Sequence, residues 1–162
     1  MVVQSFPTSG RRHYGPGSTP QRQAYRLVEL KRWRDHLGVP LNLQPKFFPA
    51  NENLGACLVT AARDAGQDAM ALAHAILRAL WAEERNTGDP DTLRAIVSTC
   101  GLDAATLFAA AESDATKASY QAGTDRALAA RVFGAPSYVV NGEIFWGQDR
   151  LGFLERALAE HA

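Results

Sequence analysis

Residues 132–150 read VFGAPSYVVNGEIFWGQDR, and this stretch decides the fold. Two short runs rich in β-branched and aromatic residues, 137–140 and 143–146, flank the dipeptide Asn141-Gly142. Asn-Gly supplies the two positive φ angles of a type I′ turn, which makes it the strongest short hairpin signal in the chain. The stretch therefore predicts a β-hairpin with a two-residue loop.

The segments on either side of the hairpin point to a larger unit. Pro136 lies at the entrance of the first strand, where its missing N–H costs no ladder bond. After the second strand, Asp149 is placed to cap a helix whose leucines recur at helical spacing, at Leu151, Leu154 and Leu158. A proline, a hairpin and a helix in this order are typical of the second half of a thioredoxin-like domain, in which the X-Pro bond is cis. An ordinary edge hairpin that closes an α/β domain fits these residues equally well.

The composition limits the classes of protein that the chain can belong to. Its 162 residues suffice for one domain with a core, or for a small domain with an insertion. The 17 basic and 17 acidic residues cancel, so no overall charge favours nucleic acid or an anionic membrane as a partner. No apolar run is long enough to span a membrane and no signal peptide is visible, so we expect a cytoplasmic protein.

The cysteines and histidines form no chemical motif. Cys57 and Cys100 are far apart and neither belongs to a C-x-x-C pair, which leaves dithiol redox chemistry without support. We expect both to be buried structural thiols. The four histidines, His36 and His74 among them, show no metal-ligand spacing, so we predict no metal site.

The pattern along the chain changes at Pro20. Residues 1–19 show no periodicity beyond their first valines, and we expect an unstructured or atypical N-terminal segment there. Residues 20–113 are predicted to form a helical insertion domain, and residues 114–162 the C-terminal half of a thioredoxin-like domain. The residues predicted to begin helices are Asn51, Asp68, Asp89 followed by Pro90, Asp103 and Asp114, and the apolar residues expected inside the insertion are Trp33, Leu58, Leu77 and Leu80.

Several segments resemble the 2-hydroxychromene-2-carboxylate isomerases. They are PQRQAY at 20–25, LKRW at 30–33, GVP at 38–40, PKFFPAN at 45–51, LWAEER at 80–85, DP at 89–90, FGAPS at 133–137 and FWGQDRL at 145–151. These enzymes are related to the kappa-class glutathione transferases and share the DsbA-like plan of a thioredoxin domain with a helical insertion. The resemblance therefore implies a mostly helical α/β protein of the thioredoxin-like class with a large helical insertion.

The resemblance also implies an activity. Members of this family interconvert 2-hydroxychromene-2-carboxylate and trans-o-hydroxybenzylidenepyruvate in aromatic degradation, with glutathione as the cofactor and a small aromatic carboxylate as the substrate. The glutathione thiolate adds to a conjugated carbon and leaves after rotation, which is covalent catalysis. Such relatives commonly form dimers, so a homodimer fits the resemblance. The alternatives are a kappa-type glutathione transferase or peroxidase, and a non-catalytic helical module that binds a partner through the hairpin.

Five residues match the family's glutathione contacts. Asn51 corresponds to an asparagine that reaches toward the tripeptide, although a helix N-cap explains it as well. Ala135, before the presumed cis Pro136, corresponds to the residue whose backbone pairs with the cysteinyl backbone of glutathione. Gln148 and Asp149 correspond to the segment that holds the γ-glutamyl end, and a simple cap is again the alternative for Asp149.

The substrate and the catalytic group are less well marked. Lys46 is a candidate to attract the substrate carboxylate, and Trp146, together with Tyr138 and Phe47, to wall an aromatic pocket, although solvation and core packing explain these residues equally well. The β-α-β block that carries the family's thiolate-supporting serine has no counterpart before Pro20, and Ser5, Ser9 and Ser18 sit in no matching context. The catalytic residue is therefore unknown. We expect the thioredoxin domain to lack its N-terminal part and these 162 residues to have little or no isomerase activity.

Overall fold

The computed structural model describes residues 2–3 and 19–160 of the chain. Across these residues there are seven α-helices, one 3-10 turn and three short strands. In chain order they are β1 Val2–Val3, α1 Pro20–Leu37, α2 Asn53–Asp64, α3 Ala69–Trp81, α4 Pro90–Thr99, α5 Ala104–Glu112, α6 Asp114–Ala129, β2 Ser137–Val140, β3 Glu143–Trp146, the 3-10 turn Gln148–Arg150 and α7 Leu151–Ala159. None of these described helices is long and apolar enough to cross a membrane.

The predicted hairpin is present with its predicted turn. β2 and β3 pair antiparallel, with Ser137 opposite Trp146. The loop residues Asn141 and Gly142 have φ angles of 48° and 86°, the left-handed conformation that a two-residue hairpin loop of type I′ requires. The backbone of β1 pairs antiparallel with β2, so the sheet has the order β1-β2-β3. The sequence analysis did not predict this strand, and residues 4–18 of its N-terminal segment lie outside the described residues.

Three of the predicted helix caps are confirmed. The carboxylates of Asp68, Asp89 and Asp103 each accept a hydrogen bond from the backbone N–H three residues later, at 2.9, 3.0 and 2.7 Å respectively. Each bond satisfies an N–H group that has no partner inside its own helix. Pro90 occupies the first turn of α4, where the missing N–H of proline costs nothing.

The helix predicted to begin near Asn51 is present, but Asn51 is not its N-cap. Helix α2 begins at Asn53, and its N-cap is Glu52, which makes no capping bond with its side chain. Glu52 already has a right-handed helical backbone conformation, which is not that of an ordinary N-cap. The side-chain oxygen of Asn51 accepts a hydrogen bond from the N–H of Asn53 at 3.2 Å, so it closes the turn that precedes the helix.

The prediction that Asp149 caps the C-terminal helix is also wrong. A 3-10 turn follows β3 directly, with Gly147 as its N-cap, and Asp149 lies inside that turn. Helix α7 begins after it, at Leu151, and its N-cap Arg150 makes no side-chain capping bond. Gly147 has a φ angle of 110°, so the chain turns sharply there. The 3-10 turn therefore precedes Leu151, the first of the helically spaced leucines.

The chain divides into two compact units. We call Leu27–Tyr120 the helical unit, and Met1–Arg26 together with Gln121–Ala162 the hairpin unit. Both α1 and α6 contribute residues to each unit. The predicted domain boundaries, before Pro20 and after residue 113, lie close to these limits without coinciding with them.

The helical unit contains the main apolar core. Its largest fully buried side chains are Leu58, Leu72, Leu93 and Val97, with Ile96, Leu107 and Phe108 packed among them. Burial of such a side chain stabilises the fold by about 1.5–3 kcal/mol. The core draws on α2, α3, α4 and α5, so helix-to-helix packing along consecutive elements holds the unit together.

The predicted burial within this unit is partly right. Leu58 and Leu80 are buried as predicted, and Trp33 is partly buried. Leu77 was predicted to be inside, and this is wrong, because 47% of its surface is exposed. At 3.6 residues per turn, Leu77 lies about 140° around α3 from Leu72, beyond the arc that the buried residues of the helix occupy. The apolar stripe of α3 was assigned too broadly.

Candidate functional site

In the hairpin unit an indole ring lies directly against a glycine. Trp146 ends β3, and its ring packs edge-on against Phe133 with 4.9 Å between the ring centroids. A Cβ atom on Gly134 would lie 2.6 Å from Trp146 Nε1, so any side chain at that position would displace the indole. Half of Phe133 and 41% of Trp146 are exposed. The two rings therefore form an aromatic surface next to Ala135 in the sequence.

The Ala135-Pro136 bond is cis, as predicted. The carbonyl of Pro136 accepts a hydrogen bond from the N–H of Gly147 at 3.0 Å, and the buried Ser137 hydroxyl donates to the carbonyl of Gly134 at 2.5 Å. These two bonds fix the backbone on both sides of Ala135. Ala135 itself is exposed, and its N–H and C=O have no hydrogen-bond partner among residues 2–3 and 19–160. They remain available to a ligand.

The turn after β3 presents three polar side chains in succession. A Cβ atom on Gly147 would lie 2.5 Å from Asp149 Oδ1, so glycine is required for the carboxylate to fold back over the turn. Asp149 Oδ2 accepts a hydrogen bond from Arg150 Nη1 at 2.7 Å. Both side chains of this pair are about half exposed, and Gln148 beside them is also exposed. The turn thus offers an amide, a carboxylate and a guanidinium to solvent.

A groove of about 380 Å³ runs along β3. Its lining residues are Glu143, Ile144, Phe145, Trp146, Arg150 and Phe153. Four of its six lining residues are apolar or aromatic, one is acidic and one is basic. The sequence analysis named only Trp146 of this set. Arg150 and Phe153 follow β3 in the chain, so no pattern within the strand could have indicated them.

The helical unit carries the other two predicted site residues. Lys46 and Asn51 lie in the loop between α1 and α2. The backbone N–H of Lys46 donates to Glu84 Oε2 at 3.0 Å, and its ammonium lies 5.1 Å from the Phe47 ring centroid. Asn51 is exposed, and only its side-chain oxygen has a recorded partner, the N–H of Asn53. The Phe48-Pro49 bond in this loop is cis, which the sequence analysis did not predict.

Cys57 does not have the environment of a reactive thiol. Cys57 and Cys100 are free and partly buried, so the prediction of fully buried thiols is too strong. Burial raises the pKa of the Cys57 thiol, and the positive charge of Lys117 offsets this only in part. A thiol with a raised pKa is protonated at neutral pH and is a poor nucleophile. Cys57 is therefore not expected to act as a thiolate nucleophile.

The structure brings together part of the predicted site. Ala135, Pro136, Trp146, Gln148 and Asp149 all lie in the hairpin unit, where the Gly147–Pro136 hydrogen bond joins the two segments that carry them. Lys46 and Asn51 lie in one loop of the helical unit, not in the hairpin unit. Tyr138 and Phe47, named as possible pocket walls, are partly buried in their respective units.

Comparison with known proteins identifies the family. Residues 2–159 match the DSBA-like thioredoxin domain family. The chain is also 34% identical, over 152 residues, to a 2-hydroxychromene-2-carboxylate isomerase of Sphingobium xenophagum, a match that covers 91% of this chain and 75% of the relative. The chain belongs to the 2-hydroxychromene-2-carboxylate isomerase family. The resemblance predicted from the sequence is thereby confirmed, and with it the DsbA-like thioredoxin fold.

Other members of the family agree. A 2-hydroxychromene-2-carboxylate isomerase of Pseudomonas putida is 33% identical over 137 residues, with 83% of this chain and 64% of that protein covered. The solved structure of a 2-hydroxychromene-2-carboxylate isomerase superposes with a TM-score of 0.68 at 28% identity, covering 86% of this chain and 67% of the other. The chain is therefore an isomerase-family protein that matches about two thirds to three quarters of the length of these family members.

Proposed function

We propose that this protein binds glutathione and acts in the interconversion of 2-hydroxychromene-2-carboxylate and trans-o-hydroxybenzylidenepyruvate. The names of the relatives support the reaction class. The observation that carries the cofactor is the backbone of Ala135, whose exposed N–H and C=O have no partner in the described chain. A backbone donor and acceptor on one residue, without partners among the described residues, can pair with the backbone of a tripeptide.

The polar groups nearby fit the rest of glutathione. Its γ-glutamyl end carries an ammonium and a carboxylate. Asp149 is about half exposed, and only its Oδ2 is engaged, by Arg150, so Oδ1 is available to an ammonium group. The exposed amide of Gln148 can donate to a carboxylate.

When bound, glutathione would supply the thiol nucleophile that isomerisation needs. The chain's own contribution is to hold and orient. Ala135 fixes the peptide backbone, and Asp149 with Gln148 fixes the γ-glutamyl end. Trp146, 41% exposed, offers an aromatic face for a flat substrate.

The proposal is tested with a matched pair of variants in the hairpin unit. Asp149→Asn removes the carboxylate proposed to meet the ammonium, whereas Asp125→Asn removes an exposed carboxylate whose recorded partner is Gln121. A charge-assisted hydrogen bond contributes about 1.5–3 kcal/mol, so Asp149→Asn should weaken glutathione binding about tenfold or more. Asp125→Asn should leave it unchanged. Isothermal titration calorimetry with glutathione measures both, and equal affinities would contradict the assigned role.

The proposed reaction is tested by measuring turnover of 2-hydroxychromene-2-carboxylate. Loss of 2-hydroxychromene-2-carboxylate is followed with and without glutathione, on this chain and on a fusion that places the N-terminal segment of the Sphingobium xenophagum relative before Pro20. Turnover of the fusion that requires glutathione supports the proposal. A folded fusion that conjugates glutathione to an electrophile but does not isomerise this substrate would favour the kappa-type transferase instead.

A further inference from the structure

Ser137 places a buried hydroxyl on the middle strand of the sheet. It is the first residue of β2, which has β1 on one side and β3 on the other, and only 2% of its surface is exposed. A buried hydroxyl costs free energy unless it is hydrogen-bonded, and serine is not among the residues that favour strands. Among the described residues, the hydroxyl has one recorded hydrogen bond, which it donates to the carbonyl of Gly134 at 2.5 Å. Packing alone therefore does not account for a serine at this position.

This hydrogen bond also sets the direction of the Ala135 N–H. The carbonyl of Gly134 and the N–H of Ala135 belong to the same peptide group, which is planar. The Gly134–Ala135 bond is trans, so the carbonyl and the N–H point in opposite directions. A contact that fixes the carbonyl therefore fixes the N–H as well. This N–H is the backbone donor that the proposed function assigns to glutathione.

Gly134 would leave this peptide group free to rotate if nothing held it. A residue without a Cβ atom reaches more backbone conformations than any other residue. Glycine is nevertheless required here, because a Cβ atom would lie 2.6 Å from Trp146 Nε1. The close approach of the indole therefore demands a residue that loosens the backbone directly before Ala135.

Ser137 and Trp146 hold Gly134 together. They are directly opposite each other in the pairing of β2 with β3, and the side chains of such a pair lie on the same face of a sheet. The indole packs against Gly134, and the hydroxyl binds its carbonyl. One cross-strand pair thus restrains the glycine by packing and by hydrogen bonding.

We propose that Ser137 is a positioning residue, which holds the Ala135 N–H in the direction in which it meets the backbone of glutathione. The inference rests on the proposed function, because it requires that Ala135 binds glutathione. Ser137 acts through one peptide group, without touching the ligand and without taking part in proton transfer. Its hydroxyl removes the rotational freedom that Gly134 introduces, before the ligand arrives.

The test compares two serines, each of which donates its hydroxyl to the carbonyl three residues earlier. Ser137→Ala removes the bond to Gly134. Ser113→Ala removes a bond to the carbonyl of Ala110, 2.7 Å long, in the helical unit. Ser137→Cys is a third variant, in which the thiol has a similar size but donates only weakly. Each complete chain is titrated with glutathione by isothermal titration calorimetry and, labelled with ¹⁵N, by its amide resonances.

The two Ser137 variants should bind glutathione more weakly, and the effect should be local. Loss of one well-directed hydrogen bond should weaken binding about two- to tenfold in both variants. Ser113→Ala should bind as the wild type does, although it loses an equivalent bond. At saturating glutathione, the ligand-induced shift of the Ala135 amide should shrink in both Ser137 variants, whereas the shifts of Gln148 and Asp149 should persist. A general loss of stability would not single out Ala135.

Two results would overturn this role of Ser137. One is wild-type affinity in Ser137→Ala. The other is an equal loss of the shifts at Ala135, Gln148 and Asp149, which would mean that the substitution disturbs the hairpin unit as a whole. Failure of the proposed function is distinguishable from both, because the wild-type chain itself would then show no glutathione-induced shift at Ala135. The role of Ser137 would fail with it.

Discussion

The helical unit and the hairpin unit bury their apolar residues to very different extents. In the helical unit, Leu58, Leu72, Leu93 and Val97 are fully buried. In the hairpin unit the buried apolar residues include Ala127, Val132 and Phe145, and two of these are small. Seven large apolar side chains in the described part of the hairpin unit are 41–58% exposed, namely Tyr25, Leu128, Phe133, Trp146, Leu151, Phe153 and Leu158.

We expect the helical unit to supply most of the stability and the hairpin unit to bind other molecules. Large buried side chains dominate the free energy of unfolding, so the helical unit should hold most of it. Exposed aromatic surface and unpaired backbone groups bind other molecules instead. The proposed glutathione contacts of Ala135 and Asp149 both lie in the unit with the smaller core.

The largest effect is expected from the core of the helical unit. Leu72→Ala deletes a fully buried side chain of α3 and should lower the free energy of unfolding by about 2–5 kcal/mol. Leu77→Ala, on the same helix but 47% exposed, should cost less than about 1 kcal/mol. Urea denaturation followed by circular dichroism measures both. Equal losses would mean that the buried face of α3 is assigned incorrectly.

The hairpin unit should respond most strongly at Gly134. Gly134→Ala places a Cβ atom 2.6 Å from Trp146 Nε1 and should destabilise this unit by about 1–3 kcal/mol, because the indole must move. The indole emission should shift as its packing changes. In Gly152→Ala the new Cβ meets nothing within 4 Å on α7, and alanine favours the helix by about 0.5–1 kcal/mol. Hydrogen exchange of the β2 and β3 amides, faster in the first variant only, localises the effect.

A smaller effect concerns the loss of stability in acid. Two helix caps of the helical unit, Asp89 and Asp103, contribute to it. Hydrogen bonds from the Thr92 hydroxyl and then its N–H lower the pKa of Asp89, and the N–H of Thr106 does the same for Asp103. The unfolded chain then takes up protons at a higher pH than the folded chain. The stabilisation is therefore fully present above the ordinary aspartate pKa and is lost as pH falls through the lowered value.

Aspartate-to-asparagine variants isolate this term. Asn caps a helix about as well as Asp but does not titrate, so Asp89→Asn should match wild type near neutral pH and lose less stability in acid. Asp91→Asn, in the same turn but without that cap role, should follow the wild-type curve. Denaturation at a series of pH values measures all three proteins. If Asp89→Asn loses as much stability at low pH as wild type does, the Asp89 cap does not contribute to the acid sensitivity.

Local signals in the sequence were sufficient for much of the fold. Asn141-Gly142 determined the hairpin, and the carboxylates of Asp68, Asp89 and Asp103 marked three helix starts, because each acts on backbone within three residues. Signals failed where the outcome depends on distant packing. The exposure of Leu77 depends on which side of α3 the other helices cover. The 3-10 turn after β3 depends on Gly147, whose φ of 110° no leucine spacing reveals.

Only those site residues that match motifs of the family could be predicted from the sequence. The resemblance located Ala135 and Asp149, and the structure adds that the Ala135 backbone has no partner among the described residues and that the Asp149 carboxylate is about half exposed. Gly134 makes room for the Trp146 indole, and no local pattern in the sequence indicates this contact. The groove residues Ile144 and Phe153 escaped prediction, because they become neighbours only when α7 packs beside the strand.

The central claim is that the hairpin unit holds glutathione through the backbone of Ala135 and the turn at Gln148 and Asp149. Titration of ¹⁵N-labelled protein with glutathione, followed by amide resonances, tests it most directly. The account predicts saturable shifts at Ala135, Gln148 and Asp149, and none at core amides of the helical unit such as Leu93. Glutathione binding that leaves those three amides unshifted, or the absence of binding, would contradict it.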